Sequence, residues 1–172
     1  VLYALDRVAT RARVRDGVTL GLGLALVGLT SIYQLAFAAG ATVAGLLARV
    51  SEWRQRPQRT LVASGLGIGL GVVLLAPMLL QYLTVSRQFG LARTVAETAD
   101  FAATWRDYLA TGGRLHYSWW SARFFPETAV LFPGVTVTLL AALGLAAPPA
   151  QQGRVRMMTA IGVIGVLMSL GP

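Results

Sequence analysis

The sequence predicts an all-α protein, a polytopic transmembrane helix bundle of about five spans. Three observations predict it. Of 172 residues, 55% are hydrophobic and only 13% are charged, against about 25% charged in an ordinary soluble domain. Long uncharged runs recur, and Val18 to Ala48 is an uninterrupted one of 31 residues. All 15 basic side chains are arginines, and ten of them fall in three short segments between alternate runs. Short cytoplasmic segments of membrane proteins collect basic residues in this way.

A net charge of +8 can mark a nucleic-acid binder. Here the arginines flank apolar runs, so membrane lipid is the expected partner and nucleic acid is not. The absence of cysteine excludes a disulfide framework, a thiolate metal site and a cysteine nucleophile. Lysine and asparagine are absent as well. Both have AT-rich codons, so their absence points to a GC-rich, bacterial genome. Without asparagine there is no N-glycosylation acceptor. The chain opens at Val1 without an initiator methionine or a signal-peptide pattern, and it closes on "LMSLGP". It reads as an internal fragment that packs against the remaining helices of a longer chain.

The first long run can be one helix or two. As one helix, Val18 to Ala48 would be roughly 46 Å long at ~1.5 Å per residue, against a hydrocarbon core of about 30 Å. "GLTS" at Gly28 to Ser31 weakens the helix near its middle. Charge decides. Arg7, Arg11, Arg13 and Arg15 precede the run, and Arg49, Arg54, Arg56 and Arg59 follow it. A tight hairpin keeps both clusters on the cytoplasmic side. Its first helix then begins near Val8, with the inner arginines snorkelling to the interface.

Leu61 to Val85 is the clearest single span. Gly65/Gly69 and Gly67/Gly71 are small residues four apart, which let helices approach closely in lipid. "GLGIGLG" lacks both the Lys-Ser/Thr end of a P-loop and the GxGxxG spacing. Pro77 is expected to kink the helix or bend its outer end. Ala129 to Ala147 makes a fourth span, with Pro133 of "FPG" near its start and "APPA" at its end. Arg154 and Arg156 follow, and a fifth span begins about Met157.

From a cytoplasmic start, all three arginine-rich segments lie inside. Residues 86–128 lie outside, as a short helical insert. The chain thus divides into three helices with inner arginine segments (1–85), an extracytoplasmic segment (86–128) and two further helices (129–172). The expected location is the bacterial inner membrane, multi-pass.

The outer segment opens with Arg87 and Arg93, which can grip a lipid phosphate through bidentate hydrogen bonds or stand as solvated interface residues. "TVAE" at Thr94 to Glu97 fits a capping box. Phe101, Trp105, Tyr108 and Leu109 share one helical face, so an amphipathic helix along the outer surface is expected. A second start at "TWRD", Thr104 to Asp107, breaks it in two. Glu97, Asp100 and Asp107 suit acid–base work, or more plainly a cap and a solvated face. Trp119 and Trp120 lie in an aromatic loop. They read as an interface belt or as the wall of a sugar or lipid-linked ligand groove, with Glu97, Asp100, Trp105 and His116 as further lining. His116 is the only histidine, so no histidine-pair metal site and no Ser-His-Asp arrangement is expected.

The order of these features is similar to that of a known group. An arginine-rich stretch leads into "GLTSIYQLAF". A span ending "LLAPMLLQYLTVSRQFGLART" follows, then an aromatic loop, "LFPGVTVTLLAALGL" and "SLGP". The chain resembles the middle of bacterial membrane proteins related to GT-C-type glycosyltransferases. The resemblance implies sugar transfer from a polyprenyl-phosphate donor on the outer side. It also implies a key acidic residue, often in an Asp-Glu or Asp-x-Asp pattern, in an outer loop preceding Val1, where a divalent metal or a carboxylate base would do the chemistry. No two acids here are adjacent or one residue apart, so no catalytic residue, metal ligand or cofactor is assigned to this chain. Two other functions are open: a transporter or flippase segment, and a non-enzymatic membrane scaffold. Ion-coupled transporters bury ionisable groups mid-membrane, and these runs carry none away from their ends.

Overall fold

A computed structural model describes residues 1–90, 99, 102–125 and 129–170. The described residues are helices, turns and connecting segments, with no strand among them. They fall into two compact units, Val1–Ala92 with Ala150–Gly165 and Arg93–Pro149 with Val166–Pro172.

The first unit is built on α1 (Leu2–Arg11), α2 (Val14–Thr30), α3 (Ile32–Ala48), α4 (Val50–Trp53) and α5 (Pro57–Phe89), joined by most of the helix Gln152–Ser169. The first membrane-type helix does not begin near Val8, as expected. The chain breaks at Ala12, whose φ of 50° is left-handed and whose N–H donates to the Arg7 and Val8 carbonyls. Arg13 is extended and starts α2. The break has a packing cause. Ala4, Leu5, Val8 and Ala9 form one apolar face of α1. A straight run into α2 would carry that face away from α3, whereas the turn buries it.

The 18–48 run is two helices, divided at Ser31. Ser31 is extended (φ −162°, ψ 131°), ends α2 and caps α3, its side chain accepting from the Gln34 N–H. This is the ordinary N-cap role of serine. The two helices fold back on each other, as two neighbouring residues of α1 show. Arg7 binds Asp16 at the start of α2, and Asp6 binds Arg49 just past the end of α3. Both ends of the hairpin therefore meet α1, and both arginine clusters share one end of the unit.

α5 runs parallel to α2. Gly17 abuts Ala63, Gly21 abuts Gly67, and Gly28 abuts Leu75, so the contacts advance together along both helices. The seam is made of small residues. A Cβ on Gly17, Gly21 or Gly67 would fall on a backbone carbonyl of the facing helix. Gly67 and Gly71 thus do what their spacing implies, and their partners are Gly17 and Gly21. Gly65 and Gly69 meet nothing and point away from the seam. The core beside it joins Leu5, Val8, Leu20, Leu24, Ala63 and Met157.

α5 has 33 residues, carries Pro77 without interruption, and ends at Gly90 in the left-handed conformation. Among the described residues it is the one helix long and apolar enough to cross a membrane. The helix of the fourth run is shorter than expected. It spans Val135–Leu145, 11 residues, or roughly 16 Å. Pro133 stands ahead of it, and Gly134 at φ 95° delays its start. The last helix, Gln152–Ser169, begins before Met157 and takes in Arg154 and Arg156.

Candidate functional site

The first unit carries a charge network at its arginine-rich end. Asp6 is 7% exposed and Arg49 is 3% exposed. Burying either charge alone is costly, so their positions demand partners. Arg49 donates to both Asp6 and Glu52. Arg154 reaches the other Asp6 oxygen at 3.1 Å. Burial pushes the Asp6 carboxyl up, but hydrogen bonds and charge from Arg154 and Arg49 outweigh it and hold the group below the usual carboxylate range. Burial likewise disfavours the Arg49 guanidinium, and Glu52 and Asp6 reverse the effect and raise it.

A second pair lies alongside. Arg7 Nε donates to Asp16 Oδ1 at 2.7 Å, and Arg7 Nη1 donates to the Tyr3 hydroxyl at 2.7 Å. Asp16 sits in the first turn of α2, where a negative charge suits the helix dipole. Asp6, Asp16 and Glu52 are the three acids of the arginine-rich segments, and each is ion-paired. Sequence reasoning about acids on the outer segment overlooked them. The available signal was their rarity: three acids among ten arginines.

The expected phosphate-binding pair divides. Arg87 is exposed in the last turn of α5. Arg93 lies outside the described residues, as do Glu97, Asp100, the "TVAE" box and Phe101. The remainder of the expected amphipathic helix is not helical: Trp105–Leu109 is a turn. The break at "TWRD" has a clear cause. Asp107 Oδ2 accepts from the Thr104 N–H at 2.6 Å and from its hydroxyl at 3.0 Å. This reciprocal capping contact starts a new turn and buries Asp107, which is therefore a cap rather than a solvated residue.

The aromatic stretch is also helical rather than a loop. Arg114–His116, a π-helical turn at Tyr117–Ser121 and Ala122–Phe124 follow without interruption. This wide turn brings His116 and Trp120 to 5.2 Å between ring centroids, and Phe132 packs edge-on against Trp120 at 5.3 Å. Trp120 Nε1 donates to the Leu109 carbonyl at 2.8 Å. Trp119 touches Trp120 at 6.0 Å but is 78% exposed. Trp105 is exposed, with the Arg106 guanidinium over its ring. Of the expected groove residues, the second unit thus gathers His116, Trp119 and Trp120. That trio offers ring faces and one imidazole, a surface for a sugar or an apolar chain rather than for acid–base chemistry.

Among the described residues no three of His, Asp and Glu converge to hold a metal ion. No protein-family model, curated protein or solved structure matches the chain.

Proposed function

We propose that this chain is an integral-membrane segment of a glycosyltransferase that takes a sugar from a polyprenyl-phosphate donor on the outer side of the bacterial inner membrane. α2, α3 and α5 are its first three spans, with the arginine-rich end in the cytoplasm. α1 lies at the interface. The chain supplies scaffold and one wall of the donor groove.

The observation that carries the membrane part is the surface of α5. Only 28% of its apolar window is buried, and Leu61, Val62, Leu66, Ile68, Val72 and Val73 are all exposed. A core helix of a soluble domain hides such residues, and a soluble surface rarely exposes so continuous an apolar patch. Hydroxyls along the helices bond backward to their own backbone, as Thr42 does to Ala38 and Thr84 to Leu80, which satisfies those hydroxyls without water. The transferase part is supported by the order of sequence features and by exposed Trp119 beside half-buried Trp120.

A second reading, a non-enzymatic scaffold, is favoured by the charge network. The buried ion pairs among the described residues sit at the arginine-rich end and join elements, with none midway along α5. That placement suits a structural clasp and disfavours an ion-coupled transporter.

The test is donor binding. The full chain in membrane vesicles is titrated with a polyprenyl-phosphate sugar, beside an Arg87→Ala/Arg93→Ala variant. Saturable binding weakened at least about tenfold, the loss of one charge-assisted contact, supports the transferase. Equal binding reduces both arginines to interface anchors. No binding to either protein favours the scaffold.

A further inference from the structure

Seven of the ten arginines in the arginine-rich segments fall into two sets. Arg7, Arg49 and Arg154 are spent on acids. Arg11, Arg13, Arg56 and Arg59 are in no ion pair among the described residues, yet they line one open cleft of about 550 Å³. Four unneutralised guanidinium groups around one cavity repel each other, and the backbone deepens the field. α2 and α5 are parallel, so their N-termini lie side by side. Arg13 and Arg56 are the residues that start them, and neither helix has a side-chain cap. The positive dipole ends add to the four charges, that of α2 offset in part by Asp16 in its first turn and that of α5 lacking its first N–H at Pro57.

We infer that this cleft binds the phosphate group of an anionic ligand, the headgroup of an acidic membrane lipid. Guanidinium groups match phosphate oxygens in pairs, and uncapped helix N-termini bind the same chemistry. Basic pockets between helices on the cytoplasmic side take lipid headgroups. The apolar residues for the acyl chains adjoin the cleft: Val14 lines it, and exposed Leu61 and Val62 follow Arg59 on α5 after buried Thr60. The lipid source rests on the membrane reading above; the phosphate chemistry does not. The cleft is at the opposite end of α5 from Arg87.

The experiment uses the full chain in neutral detergent micelles, titrated with short-chain phosphatidic acid and, in a parallel arm, with inorganic pyrophosphate. All four arginines are exposed, so their replacement leaves the fold intact. Two variants, Arg11→Gln/Arg56→Gln and Arg13→Gln/Arg59→Gln, each remove half the cleft. Arg15→Gln/Arg54→Gln removes equal charge from the same end but outside it. Saturable phosphatidic acid binding that weakens more than about tenfold in both cleft variants, and stays unchanged in the third, is expected from the contribution of each surface arginine. Pyrophosphate binding with the same variant pattern, and none by the lipid, keeps the phosphate site and makes its source soluble. Equal weakening in all three variants, or binding of neither anion, overturns the site.

Discussion

Gly21 on α2 and Gly67 on α5 lie so close that a Cβ at Gly21 would meet the Gly67 carbonyl. The same holds in reverse between Gly67 and Gly17. Backbone-to-backbone approach of this kind supplies dispersion and weak Cα–H···O contacts over the whole seam. Gly21→Leu or Gly67→Leu must therefore push the helices apart. Each is expected to lower stability by about 3 kcal/mol, the upper range for overpacking, in thermal unfolding in micelles. Gly65→Leu and Gly69→Leu fill open space and are expected to leave the transition unmoved. If all four behave alike, the seam is not what holds α2 to α5.

Arg49 clasps the end of α3 to α1 and α4. Its side chain is nearly fully buried and serves two carboxylates. Arg49→Met keeps the apolar stem but leaves Glu52 without its partner and Asp6 with Arg154 alone. The expected loss is about 3 kcal/mol, the low end for a broken buried pair, because Arg154 still neutralises Asp6. Asp6→Asn/Arg49→Met removes both charges, and it is expected to recover much of that loss in the same unfolding assay. Without such recovery, Arg49 acts through packing alone.

How much of this was legible in the sequence depends on the kind of signal. The hairpin was readable because two arginine clusters flanking 31 uncharged residues leave few arrangements. The division at Ser31 followed from "GLTS". The seam was half readable. Gly-x-x-x-Gly spacing marks a close approach, but Gly65/Gly69 and Gly67/Gly71 have the same spacing, and only the facing helix chooses between them. The clasp was not readable, since Asp6 and Arg49 are 43 positions apart and neither has a local motif. The outer segment misled for another reason. The stripe from Phe101 to Leu109 has helical period, yet the Asp107 side chain captures the Thr104 N–H, and local capping overrides periodicity.

The same clasp sets an acid limit. Asp6 titrates below its ordinary value of about 4 in the folded chain. A group depressed on folding contributes stability above its unfolded pKa and loses it as pH falls through the folded one. Stability attributable to Asp6 is therefore level from neutral pH to near pH 5. It declines below about pH 4, the unfolded carboxylate value. Denaturant midpoints taken across this range are expected to show the decline in the parent and a shallower one in Asp6→Asn. Parallel curves would assign the acid sensitivity to other carboxylates.

Trp120 and Trp119 are adjacent but have different work. Trp120 packs on His116 and Phe132 and holds the Leu109 carbonyl. Trp120→Ala is expected to cost about 2 kcal/mol, summing its aromatic contacts and one hydrogen bond. Trp119→Ala, at an exposed position, is expected to stay within about 0.5 kcal/mol. If Trp119 lines a ligand groove, its replacement weakens donor binding while the unfolding transition stays put. A change in both measurements would make it structural instead.

Orientation is open to direct chemical reading, because the chain contains no cysteine. Gln55 lies between α4 and α5 among the arginines of the first unit, and Leu115 is 83% exposed in the aromatic segment of the second. Gln55→Cys and Leu115→Cys each place one thiol at an exposed site. The charge rule assigns the first to the cytoplasm and the second to the outside. With a membrane-impermeant maleimide on intact cells, Leu115→Cys is expected to label at once. Gln55→Cys is expected to label only after permeabilisation. An odd number of crossings between the two sites gives this result, and α5 alone can supply it. Labelling of both thiols in intact cells would mean that α5 does not cross, and its exposed apolar face would then belong to a protein partner. The reverse pattern would keep the crossing and invert the chain. The arginine cleft would then face outward, and the donor groove would no longer lie on the side where polyprenyl-phosphate sugars are used.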